Sequence, residues 1–384
     1  MIEKQPVAGM ITPEKEGYVG GFGLNNYKAA ADHARDLGLV LVNLELTAEN
    51  AVQGRAGGIL TARCWDGARL ERVAVPSENL GVIYDYSRFD GNHELISALN
   101  AAGKKFINGP KTKEICNDKL ASQALFEDLG IRIPITMDYS RENARALLAQ
   151  SGYIFIKDIY GAEGKGQVTI TSGERGIMAK VSGVQTPFDS VEDALKFSER
   201  TIDSGCLVQE GIVIPKVHGR VWDVRAMFQK NGDAETVMSV VMVRIGAKGS
   251  DQSNLSGGGM SQDPYVFYPN FGKVKRELET IGMRVFRGLE ERGDHVGEIG
   301  MDFLTSTKGE HILIEINPAP GKRTFGEYRP TGWEKGDLDF KMTLRKDVEN
   351  IPSEEQVLHR WVGIMADWMR NPLAYAKHLI EQRS

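Results

Sequence analysis

Two apolar segments in the last third of the chain restrict its fold most: residues 300–305 (GMDFLT) and 311–317 (HILIEIN), which flank Lys308-Gly309. Both read as strands, and a turn at Lys308-Gly309 makes them a hairpin. A hairpin centred there sets Asp302 directly opposite Glu315. Side chains alternate along a strand, so Asn317 shares the face of Glu315. Facing carboxylates repel unless a cation lies between them. Two carboxylates and an amide oxygen suit Mg²⁺, which prefers oxygen donors and keeps room for water and phosphate. The plainer alternative is a solvated acidic hairpin, against which the apolar neighbours Ile312, Ile314 and Ile316 argue. Asp302, Glu315 and Asn317 are therefore the candidate metal ligands.

Three further groupings carry charge or backbone donors. Lys157 ends the apolar run Gly152–Lys157, and Gly161, Gly164, Lys165 and Gly166 follow it in a loop. Glycines let backbone N–H groups approach phosphate oxygens, so this loop suits a flap over phosphates. GxxxxGK[ST] is absent, which excludes a P-loop, and a glycine-rich hairpin turn is the competing reading. Lys119, in Asn117-Asp118-Lys119, is on its own terms a solvated helical lysine. Asp223 and Arg225 share one strand face, and a turn at Asn231-Gly232 brings Arg244 onto it. Arginine forks grip phosphate; the same three residues can equally form a structural ion-pair network. The loop Asn254–Gly259, which includes Gly258, is rich in backbone donors for an oxyanion.

The rest of the chain alternates strands and helices. Strands at Val7–Thr12, Leu39–Leu44, Leu80–Tyr84 and Lys105–Ile107 surround a helix capped by Asn25 or Asn26 and running to about Leu37. Asp66-Gly67 turns a hairpin between Ile59–Cys64 and Leu70–Val75. Together these make an open α/β unit over residues 1–108. Asn108-Gly109-Pro110 opens one helical stretch, Lys111–Leu129. The strand Gln167–Thr171 partners Gly152–Lys157, Ser190 starts a helix to about Arg200, and strands at Leu207–Ile214, Val221–Gln229 and Thr236–Ile245 precede a helix at Lys273–Arg292. From Ser353 the tail is helical, with Leu358, Trp361, Met365 and Trp368 in one stripe packed on the body and a break at Asn371-Pro372. The expected units are residues 1–108, 109–205, 206–330 and 331–384.

A net charge of −5 argues against a protein whose main work is gripping nucleic acid. Cys64, Cys116 and Cys206 form no CxxC, so neither a zinc site nor a disulfide framework is expected, and a cytoplasmic setting fits. No signal-peptide pattern opens the sequence, and no apolar run reaches the ~20 residues that span a bilayer. HExxH and GxSxG settings are lacking, so metalloprotease and serine-hydrolase chemistry have no support.

The order Asn117-Asp118-Lys119, Tyr153–Lys157, Gly161–Gly166, Val208-Gln209-Glu210, Asp223-Val-Arg225, Asn254–Gly259 and Glu315-Ile-Asn317 resembles the ATP-grasp superfamily. Gly297–Asp302 and Ile314–Gly321 are most similar to its YheC/YheD group, often described as spore-coat-associated. The resemblance implies an α/β ATP-grasp fold with α+β lobes: an N-terminal open α/β preATP-grasp domain, two ATP-grasp lobes and a C-terminal helical tail. It implies ATP and Mg²⁺ as cofactors, with Lys119 and Lys157 on the nucleotide phosphates and the Gly161–Gly166 loop closing over them. Gln209, Glu210 and Ile212 would present the hinge to adenine, and Arg225, Arg244, Asn254 and Gly258 would steady an acyl phosphate. The acid that holds the ribose in such proteins has no assigned counterpart.

The activity implied is ATP-dependent joining of a small-molecule carboxylate to an amine, on an amino acid or peptide, with a homodimer as one possible assembly. Arg88 ends Tyr84–Arg88, where open α/β sheets bind ligands, and is a candidate for a substrate carboxylate; a surface arginine is the plainer reading. Two alternatives stand beside the ligase: an ATP-grasp kinase acting on a hydroxyl, and a nucleotide-binding spore or cell-surface assembly protein with little turnover.

Overall fold

The computed structural model describes residues 6–11, 23–86, 93–159, 167–174, 176–202, 205–217, 219–250, 252–253, 259–268, 270–320 and 354–382. They build three sheets. The first contains β1 (Val7–Ile11), β2 (Val40–Leu44), β3 (Ile59–Trp65), β4 (Leu70–Pro76), β5 (Leu80–Asp85) and β6 (Lys105–Ile107), in the order β4-β3-β2-β1-β5-β6. Its β2-β1-β5-β6 portion is parallel, and every residue of β1 is buried, as a parallel strand covered on both faces requires. The expected hairpin closes at Asp66, whose carboxylate accepts the N–H groups of Ala68 and Arg69.

Helix α1 (Gly23–Asp36) starts before Asn25 and Asn26, so both lie inside its first turn and neither caps it. Helix α2 (Ala48–Ala56) has no counterpart in the sequence reading, because its nine residues carry no apolar stripe. Its ends hold it instead. Thr47 accepts the Asn50 N–H at the start, and Gly57 stops it with a φ of 68°.

The second sheet holds β7 (Thr136–Asp138), β8 (Tyr153–Asp158), β9 (Gln167–Gly173), β10 (Gly176–Val181), β11 (Val184–Phe188) and β12 (Cys206–Glu210), ordered β11-β10-β9-β8-β12-β7 and antiparallel throughout. The strand expected to run from Leu207 to Ile214 stops at Glu210 and pairs with β8 and β7, so this sheet extends past residue 205. Gly211 closes the ladder by donating to the Tyr153 carbonyl at 2.8 Å, and residues 212–216 have no strand beside them.

The third sheet holds β13 (Trp222–Lys230), β14 (Thr236–Ile245), β15 (Met260–Gln262), β16 (Glu298–Thr305) and β17 (His311–Asn317), ordered β15-β14-β13-β16-β17. On one face it packs Phe228 and Phe303 against Phe286 and Leu289 of a long helix, Phe271–Arg292. The stretch Lys111–Leu129 is two helices, Pro110–Asn117 and Lys119–Asp128. Asp118 is extended (φ −87°, ψ 111°) and caps the second by accepting the Leu120 and Ala121 N–H groups.

A C-terminal helix, Glu354–Glu381, runs through Pro372 without the expected break. Proline lacks the N–H that would bond the carbonyl four residues back, on Trp368. That carbonyl accepts from Gln229 Nε2 of β13 at 2.9 Å instead. Trp368 is buried, whereas the side chains of Leu358, Trp361 and Met365 lie outside the described residues. Met369, Leu373, Ala376 and Leu379 join the core that holds Tyr27, Leu41 and Val82 of the first unit. Among the described residues no helix is long and apolar enough to cross a membrane.

Gly282 of the long helix faces the buried Phe228 ring, and a Cβ there would sit 2.0 Å from Cζ. Gly282→Ala gains about 1 kcal/mol in helix propensity but overpacks a rigid aromatic at a cost of about 1–3 kcal/mol. A lower denaturation midpoint is the expected outcome in a thermal or urea melt.

Candidate nucleotide and metal site

The site is built first on the register of the third sheet. Thr305 pairs with His311, Leu304 with Ile312 and Phe303 with Leu313; the register then shifts, leaving Ile314 as an extra residue, and Asp302 pairs with Glu315 and Gly300 with Asn317. The expected opposition of Asp302 and Glu315 therefore holds, but a β-bulge produces it rather than the centring of the turn. On the other side Asp302 pairs with Arg225, and Asp223 pairs with Arg244.

These side chains form a chain of ion pairs. Arg225 grips Asp302 through Nε and Nη2, both at 2.6 Å. Arg244 Nη2 lies 2.8 Å from Asp302 Oδ2, while its Nε donates to Asp223 Oδ1 at 2.7 Å. Ser253 donates its hydroxyl to Asp223 Oδ2, and no pattern in the sequence had marked it. Asp302 is 4% exposed. Burial opposes its charge, but Arg225 and Arg244 outweigh burial and hold its carboxyl below the ordinary range.

Glu315 differs. It is exposed to solvent and has no hydrogen-bond partner among the described residues. The surrounding protein mass and the Asp302 charge raise its carboxyl above the ordinary value, against the pull of Arg225, Arg244 and Lys119. Lys157, on β8 of the second sheet, and Lys119, at the start of the helix Lys119–Asp128, reach the same region. Burial lowers Lys157 to about 8, opposed by Glu315 and reinforced by Lys119. Burial also lowers Lys119, and Glu315 again opposes it. Lys157 Nζ donates to Gln209 Oε1 at 2.7 Å, and Gln209 Nε2 donates to Thr136 Oγ1 at 2.9 Å, so Gln209 aims the lysine. Lys119 Nζ bonds the carbonyls of Asp158 and Ile159, at the root of the glycine-rich loop.

At the end of β12, Glu210 turns its carboxylate to the Ile135 N–H at 3.2 Å. The Ile212 N–H, just past the ladder, has no partner among the described residues. The structure thus brings Lys119, Lys157, Gln209, Arg225, Arg244, Asp302, Glu315 and Asn317 to one region. Arg88, Gly161, Gly164, Lys165, Gly166, Asn254 and Gly258 lie outside the described residues.

The donor set fits Mg²⁺ with a change of emphasis. Glu315 is available, and among the described residues Asn317 Oδ1 accepts only the Ala319 N–H, at 3.0 Å. Three of the roughly four lone-pair positions of Asp302 face the arginines. Glu315 and Asn317 lead, and Asp302 has one position left. Among the described residues no three His, Cys, Asp or Glu side chains converge, so an ion here would need phosphate or water to complete its shell.

The sequence pattern described as YheC/D like ATP-grasp matches residues 113–335, more than half of the chain. The chain belongs to the YheC/D-like ATP-grasp family. Endospore coat-associated protein YheD of Bacillus subtilis (strain 168) is 25% identical over 182 residues, 45% of this chain and 40% of that protein. The chain spans about half the length of the curated relatives it matches. D-alanyl-alanine synthetase A of Vibrio cholerae superposes with a TM-score of 0.53 at 14% identity, covering 94% of this chain and 99% of the other. The N5-carboxyaminoimidazole synthetase of Staphylococcus aureus complexed with ADP gives 0.52 at 12% identity, over 83% and 71%. The fold is therefore ATP-grasp.

Two expectations follow for this ATP-grasp site. Asp302→Asn leaves two buried arginines without their shared charge and should destabilise the fold by about 3–5 kcal/mol in denaturant titrations. Lys157 is charged below about pH 8 and neutral above it. Affinity for a triphosphate should accordingly fall, by up to about tenfold per unit, as pH rises from 8 toward 9 in calorimetry, and Lys157→Met should remove that dependence.

Proposed function

We propose that this protein is an ATP-dependent ligase that joins a carboxylate, of an amino acid or short peptide, to an amine. One observation carries the reading. Glu315, exposed on β17, interacts electrostatically with Lys157 of the second sheet, with Lys119 at the start of its helix and with the Asp302–arginine network of its own sheet. This arrangement suits a triphosphate together with a divalent ion and offers, among the described residues, no nucleophile–base pair of its own. The shared fold of a D-alanyl-alanine synthetase supports it, as does that of a synthetase complexed with ADP.

In this reading Lys119 leaves its carbonyl partners for the phosphates, Gln209 keeps Lys157 pointed at them, and the Ile212 N–H meets the adenine edge. The substrate carboxylate attacks the γ-phosphorus of ATP, giving an acyl phosphate and ADP. The amine then attacks the acyl carbon, phosphate leaves, and the amine gives up its proton. Nη1 of Arg225 and of Arg244 has no partner among the described residues and is available to the oxyanion. Positioning and charge stabilisation supply such catalysis, so side chains fixed in advance by ion pairs suit it. Glu315 and Asn317, with Asp302 behind them, would hold Mg²⁺, which when bound neutralises phosphate charge.

Incubation with Mg-ATP and pooled amino acids and short peptides tests the reading: mass spectrometry should find a condensed product with ADP and phosphate. A phosphorylated alcohol would replace the ligase by a kinase, and nucleotide uptake without turnover would replace it by an assembly role. Glu315→Gln should cut ADP release by about a hundredfold or more while leaving the melting temperature unchanged, because no described residue depends on Glu315 for a hydrogen bond.

A further inference from the structure

Asn108 entered the sequence reading only as part of a chain break, yet it is 1% exposed and its side-chain amide has four described partners. Oδ1 accepts the N–H groups of Gly297 at 2.7 Å and Glu298 at 3.0 Å. Nδ2 donates to the Glu298 carbonyl at 2.6 Å and the Pro318 carbonyl at 2.7 Å. Asn108 directly follows the last strand of the first sheet, and it bridges β16 and β17 where their own ladder has ended, beyond the Gly300–Asn317 pair. The neighbouring chain is fastened to the same place. Gly109 donates to the His295 carbonyl at 2.7 Å, and Asp294 accepts the Thr112 N–H at 3.0 Å.

The Pro318 carbonyl and the Ala319 N–H belong to one peptide unit, lie in its plane and point in opposite directions across the C–N bond. Asn108 holds the carbonyl end of that unit. On the other side the Ala319 N–H donates to Asn317 Oδ1 at 3.0 Å. Tilting the plane would disturb both hydrogen bonds together. The peptide therefore relays the position of Asn108 to the amide oxygen of Asn317.

We propose that Asn108 is a positioning residue for the divalent-ion site, fixing the Asn317 oxygen through the Pro318–Ala319 peptide. The inference rests on the reading of Asn317 as a metal ligand. It also assigns the first unit a part in the site: the placement of one ligand depends on how that unit seats against the third sheet. Groups that orient ligands in this way typically alter metal affinity by about 10- to 100-fold when changed.

Asn108→Asp keeps the acceptor for Gly297 and Glu298 but puts a carboxylate oxygen against the carbonyls of Glu298 and Pro318. Mn²⁺ binding in the presence of ADP, followed by electron paramagnetic resonance, should weaken by about 10- to 100-fold. ADP affinity without a divalent ion should match wild type. Tyr84 donates to Glu298 Oε1 at 2.7 Å at the same junction without touching the relay, so Tyr84→Phe should keep wild-type Mn²⁺ affinity. If Asn108→Asp does not fold, Ala319→Pro removes the N–H given to Asn317 with Asn108 in place, and the same loss is expected. Wild-type Mn²⁺ affinity in the folded relay variant, or an equal loss in Tyr84→Phe, overturns the inference. Wild-type protein that takes up no Mn²⁺ with ADP overturns the proposed function and this inference with it.

Discussion

The grip of two arginines on Asp302 is the interaction on which the third sheet and its candidate site both depend. A carboxylate at 4% exposure stays charged only because Arg225 and Arg244 surround it. Those arginines stay buried only because Asp302 and Asp223 neutralise them. The cluster balances to zero charge. Glu315, across the bulge, is left as the uncompensated acid of the sheet face, with the two lysines opposite. A neutral block of ion pairs thus lies beside an exposed carboxylate.

That arrangement recasts the question posed by Asp223, Arg225 and Arg244, which were open to reading as phosphate ligands or as an ion-pair network. Their Nε and Nη2 groups are spent on carboxylates. A structural role is thus realised by the same residues whose remaining Nη1 groups can serve chemistry. Preorganisation of this kind avoids moving charged groups when a reaction begins.

The strands of the fold were legible where apolar alternation is strong, as in β13, β14, β16 and β17; the opposition of Asp302 and Glu315 was expected from a turn centred on Lys308-Gly309 and is produced by the bulge instead. The bulge at Ile314 was not legible, because an extra residue leaves no mark in an alternating pattern. Helix boundaries failed where side-chain capping outweighs periodicity: Asp118 splits one amphipathic stretch in two, and Thr47 with Gly57 makes a helix without a stripe. Of the site, charged residues on strands could be located from pattern, and the resemblance ordered them. Gln209 as the partner that aims Lys157, Ser253 and Asn108 could not be located, since neutral polar groups show their purpose only through neighbours distant in sequence.

The proline within the C-terminal helix has an energetic corollary. With Gln229 present, position 372 can be proline or an ordinary residue, because the Trp368 carbonyl is satisfied either way. With an aliphatic residue at 229, a proline at 372 would leave that carbonyl without the Gln229 hydrogen bond as well, at a cost of about 0.5–1.5 kcal/mol. Glutamine at 229 and proline at 372 are thus linked in energy across two units of the chain, and each softens the cost of the other.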